Sequence, residues 1–186
     1  MKVALIGIVL GMLILASPGF CQDLYQYEAN TEIFNDLTSH SQIKLVFSDS
    51  AFDDISFTIE NSPQNVKITS PASCSKTEKS WGVSVYCDLS SQKGSDFNII
   101  VDYDSSDLVE ARDAYYVFAD AYKAPVQTQN LLVLIKVPEG MGLIKPEVDL
   151  PYNPSTATVG TDGRRPILVW QKSNVSSGDE TMDSMR

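Results

Sequence analysis

The sequence has 186 residues, a formal charge of −10 at neutral pH and an isoelectric point of about 4.4. An acidic surface of that size repels phosphate backbones, which argues against a nucleic-acid partner. The length suits one ordinary domain with enough chain to bury a core.

Residues 3–20 carry no charge and follow directly on Lys2. One cation, an apolar run and then Ser17-Pro18-Gly19 make the pattern of a secretory signal. The run is also long enough to cross a hydrocarbon core of roughly 30 Å. Residues 1–21 therefore read as a signal peptide cut before Gln22 or as an uncleaved N-terminal membrane anchor. Cleavage is favoured, because Pro18 and Gly19 end the run where a peptidase site belongs. Both outcomes predict a secreted chain or one on the extracytoplasmic face of the membrane, with Lys2 marking the cytoplasmic side. Cys21 adds a third reading, lipidation at the mature N-terminus, against which Phe20 stands where a lipoprotein signal wants a small residue.

Beyond residue 21, alternation and turn residues mark a series of short strands. Residues 24–34 (LYQYEANTEIF), 43–47 (IKLVF), 55–59 (ISFTI) and 66–69 come first, with a polar turn at 35–40 and another at Asn61-Ser62-Pro63. Residues 71–80 read as a flexible loop, 81–87 (WGVSVYC) as a strand and 97–103 (FNIIVDY) as another. In 107–122, Asp107 and Glu110 resemble a capping box while Tyr115 to Phe118 favour strand. The expectation is a helical turn over 107–112 and a strand over 114–122. Residues 131–137 (LLVLIKV) are the most apolar strand and should be central. A loop over 146–163 leads through Asp162-Gly163 into a last strand at 165–171, and 173–186 reads as a flexible polar tail.

Cys74 and Cys87 lie thirteen positions apart beyond the signal, and in an oxidising exterior they predict a disulfide. His40 is the only histidine and falls in the expected polar turn, so neither a zinc site nor a nucleophilic triad has its parts. Asp102, Asp104 and Asp107 offer hard oxygens in one segment, a calcium candidate weighed against a Ser/Asp turn with a helix cap. Asp49, Asp53 and Asp54 form a second acidic loop. Every acidic residue reads as lying in a turn or on an outer face. Asn174-Val175-Ser176 is a glycosylation sequon.

An aromatic strand (Tyr115, Tyr116, Phe118), a strand closing in KVPEG (136–140) and TDGRRPILVW (161–170) resemble the extracytoplasmic β-sandwich domain of certain archaeal membrane proteins. In that group the sandwich is typically followed by a transmembrane helix and a cytoplasmic winged-helix domain, and these 186 residues contain neither. What the resemblance implies is therefore an outward-facing sensor or interaction module.

The fold expected is all-β, an antiparallel sandwich of immunoglobulin or fibronectin type, with an up-and-down barrel as alternative. It spans residues 22–172 as one domain. The function expected is a non-enzymatic binding module of the cell envelope, without a cofactor, whose partner is a protein or a cell-surface component. A sensor module and a calcium-dependent carbohydrate-active enzyme are the alternatives.

Overall fold

The computed structural model describes residues 24–112, 115–143, 152–153 and 156–185. The segment read as signal or anchor, with Cys21, lies outside the described residues. The first seven strands are β1 (Leu24–Ile33), β2 (Ser39–Phe47), β3 (Asp54–Glu60), β4 (Gln64–Thr69), β5 (Ser73–Lys79), β6 (Gly82–Asp88) and β7 (Phe97–Ser105). The others are β8 (Val109–Arg112), β9 (Tyr115–Lys123), β10 (Thr128–Lys136), β11 (Tyr152–Asn153), β12 (Thr158–Thr161), β13 (Pro166–Val175) and β14 (Glu180–Met185). The largest sheet runs β12-β13-β10-β1-β2-β7-β4, a second runs β11-β14-β9-β8, and a third is β3-β6-β5.

Strict alternation builds the large sheet. Tyr27, Ala29 and Ile33 on β1, Ile43, Leu45 and Phe47 on β2, and Leu131, Val133 and Ile135 on β10 are all buried, while their neighbours in sequence are not. The two smaller sheets contribute Ile55, Ile59, Val83 and Val85, together with Phe118 and Tyr122, to the same hydrophobic cluster. The result is the antiparallel β-sandwich expected. Phe47 stacks on its cross-strand partner Phe97 at 4.5 Å between ring centroids, and Phe52 meets Phe47 edge-on. The strand predicted central, at 131–137, is β10, which lies between β1 and β13.

The structure departs from the expected elements at six places, one being the expected loop at 146–163, which contains β11 and β12, the latter paired with β13. β1 and β10 pair in parallel, the exception in an otherwise antiparallel set, because alternation reports a buried face and not a strand direction. His40 stands on β2, opposite Asp104 of β7, and not in a turn. Residues 109–112 form β8, paired with β9, where a helical turn was expected. Within β8, Arg112 and Glu110 meet at 2.8 Å on one face of the strand. The supposed loop at 71–80 contains β5, exposed along almost its whole length, which explains why no apolar alternation announced it. The polar tail contains the end of β13 and all of β14, which pairs along β9.

Cys74 and Cys87 are directly opposite each other on β5 and β6 and form the predicted disulfide. Since β5 buries little apolar surface, this bond fastens it to the core. Reducing it, or replacing both cysteines by serine, is expected to lower stability by roughly 3 kcal/mol in the loop-entropy account. Urea denaturation with and without reductant measures this, and an unchanged midpoint would contradict it.

Candidate functional site

Strand β9 carries the candidate site. Its alternation turns Phe118, Asp120 and Tyr122 to one face, and Phe118 and Tyr122 are buried in the core cluster. Asp120 is thus a carboxylate on the inner face of a sandwich. It lines a cavity of about 310 Å³ between the sheets, with Tyr27, Phe57, Trp81, Tyr103 and Tyr122 around it.

Among the described residues, three neutral groups hold the carboxylate. Asn61 Nδ2 donates to Asp120 Oδ1 at 3.0 Å, the Ala121 amide donates to the same oxygen at 2.8 Å, and the Tyr122 hydroxyl also bonds it. Asn61 can reach because it sits in the turn between β3 and β4 with φ of 63°, a left-handed conformation that asparagine tolerates better than most residues. From Tyr122 a line of hydroxyls runs inward. Tyr122 OH and Thr31 Oγ1 are 2.9 Å apart, Thr31 Oγ1 and Ser41 Oγ are 2.9 Å apart, and Ser41 bonds Tyr103. Thr31 and Ser41 are buried, so these bonds satisfy hydroxyls that water does not reach.

The electrostatics follow from enclosure. Loss of solvent raises the Asp120 carboxyl from 3.8 to about 6, against the three hydrogen bonds that favour its ionised form and with a further push from Glu60. Burial likewise raises Tyr27 and Tyr103 above the ordinary phenol range, with the Asp120 charge adding to it. At the rim, Glu60 pairs with Lys123 at 3.2 Å, and half-exposed Trp81 lies under the Lys79 ammonium at 5.0 Å from its ring centroid.

The residues singled out from sequence lie elsewhere. Asp102 and Asp104 project from the outer face of β7. Asp104 Oδ1 shares a 2.9 Å hydrogen bond with His40 Nδ1, and Asn65 Nδ2 donates to Asp104 Oδ2 at 2.8 Å. These two donors, Asn65 first, hold the Asp104 carboxyl below its usual value. Gln42 Nε2 donates to Asp102 Oδ1 at 2.8 Å. Asp107 lies in the following turn, where it accepts from Ser106 Oγ. Among the described residues, no group of three or more histidine, cysteine or acidic side chains is placed so as to hold a metal ion. Asn174 is exposed on β13 with φ of 56°.

Asp120 corrects the reading that every acid sits in a turn or faces outward. Its signal was present: in FADAY, alternation from Phe118 to Tyr122 carries an acid on the apolar face.

No family model matches the chain, and no curated protein matches it. Among solved structures it is similar to a "putative protease" from Parabacteroides distasonis, at 8% identity and TM-score 0.50, covering 88% of this chain and 40% of that one. It is also similar to a "putative nutrient binding protein" from Legionella pneumophila, at 9% identity and TM-score 0.51, covering 88% of this chain and 66% of that one. The chain thus spans less than two thirds of either neighbour. At such identities the likeness is one of fold alone.

Proposed function

We propose that this chain is a non-enzymatic, extracytoplasmic β-sandwich of the cell envelope that binds a partner or cell-surface component through the cleft around Asp120. The carrying observation is that cleft: about 310 Å³, walled by aromatic rings, with one enclosed carboxylate. Binding sites for small groups are concave, mostly apolar and equipped with a few convergent polar atoms. Export accords with the Cys74–Cys87 disulfide, a bond that persists in oxidising compartments. The name of the Legionella neighbour, a nutrient-binding one, accords with the same reading.

The test is solvent mapping by NMR with phenol as a small neutral probe. The expected result is saturable shifts confined to cleft residues such as Tyr27, Ile43, Phe57 and Ile59. Shifts scattered over the surface, or none, would remove the cleft as a binding site.

A further inference from the structure

Resting on that reading, we infer that the cleft takes an organic cation, an ammonium group carried on a small apolar body. Asp120 sits among five aromatic side chains, and the groups that hold it (Asn61, the Ala121 amide and Tyr122) are all neutral. Among the described residues, the charge that acts on it is Glu60, of its own sign. The chain's own cation on the cleft wall, Lys123, is paired with Glu60 at the rim. A carboxylate largely removed from solvent that meets no opposite charge among the described residues is costly, and a bound ammonium would relieve that cost. The rings of Tyr27, Phe57, Trp81, Tyr103 and Tyr122 attract a cation through their electron-rich faces and shelter its methylenes or methyls. Trp81 already takes the Lys79 ammonium over its ring.

Other ligand classes fit less well. An anion meets Asp120 and Glu60 on a chain of net charge −10. A sugar needs many polar groups, but the interior hydroxyls of Thr31, Ser41 and Tyr122 are bonded to one another. What the cleft has in excess is negative charge beside aromatic surface.

The probes are choline and the neutral dimethylbutanol in which carbon replaces its nitrogen, two molecules of one shape that differ in charge. Calorimetric titration of the purified chain at about pH 8 is expected to show choline binding at least ~10-fold more tightly, a preference worth one decade of affinity. Among the described residues, the groups that titrate or carry charge around the cleft are Asp120, Tyr122 and Lys123 on β9, Glu60 on β3, Tyr27 on β1 and Tyr103 on β7. Of these Asp120 changes charge near pH 6, so the preference should hold above that and fall roughly tenfold per unit below it. Asp120→Asn should abolish the preference, and a cooperative thermal melt of the variant shows that it folds. Equal binding of both probes would overturn the cation inference and leave the cleft a binding site. Failure of both to bind would overturn the two readings together.

Discussion

Gly82→Ala is expected to cost about 3 kcal/mol, the upper end for overpacking, because the group in the way is backbone and not a flexible side chain. Gly82 opens β6, in register with Glu60 of β3, and a Cβ placed there would collide with the Ile59 carbonyl oxygen. The neighbouring Glu60 Cα and Ile59 carbonyl carbon close the remaining space. Relief requires β3 and β6 to separate at the end where Ile59, Glu60 and Trp81 line the cleft, so a local clash becomes a defect at the binding site. For a domain of this size the melting temperature should fall by roughly 10 °C. Gly142→Ala is the control, since an added Cβ there meets nothing within 4 Å. Scanning calorimetry of both variants measures the difference, and a loss below ~1 kcal/mol for Gly82→Ala, a typical single-mutation effect, would contradict the packing described.

Asp120→Asn is expected to stabilise the protein at about pH 8 by roughly 2 kcal/mol, a direction opposite to most substitutions in a core. Enclosure raises the folded-state carboxyl to about 6 from an ordinary 3.8. Between those values the folded chain holds a proton that the unfolded chain has released, so folding stability falls as pH rises through the window. The ionised carboxylate is then destabilising at neutral pH, and the residue's partial exposure keeps the effect below the full electrostatic value. Asparagine keeps an oxygen for Asn61 and for the Ala121 amide and carries no charge. The advantage of the variant should shrink from about pH 6 downward and vanish near pH 4, where both proteins are neutral at this position. Exposed carboxylates held low by hydrogen bonds, Asp36, Asp88 and Asp104 among them, act below that window and are common to both proteins. A variant less stable than the parent at about pH 8 would mean that the hydrogen bonds to Asp120 outweigh its desolvation. A stabilising removal of a native group is the mark of a position kept for binding, since function and stability trade against each other at such sites.

Much of the sandwich could be read from the chain because burial writes itself as alternation. Ile55, Phe57 and Ile59, or Leu131, Val133 and Ile135, state their inward face directly, and the two cysteines state their bond through compartment and spacing. Elements without that signature were missed. β5 is SCSKTEK, a strand made by pairing with β6 and a disulfide, with no apolar face to display. β14 forms by adding to β9, although its sequence ETMDSM has the composition of a tail. The parallel union of β1 with β10 joins residues about a hundred positions apart, and no local pattern carries information of that range. Asp120 is the instructive case. The same alternation that located inward residues such as Ile59 and Ile135 also located this acid, and only the presumption that acids face water hid it.

The central claim is that Asp120 is an enclosed carboxylate awaiting a cation in the inter-sheet cleft. Carboxyl carbon NMR titration of Asp120, alone and with saturating choline, tests this most directly. The account predicts a midpoint of about 6 for the free protein and a clear fall toward ordinary aspartate values when choline is bound. A midpoint near 3.8 that choline does not move would show an open, solvated carboxylate and contradict the account.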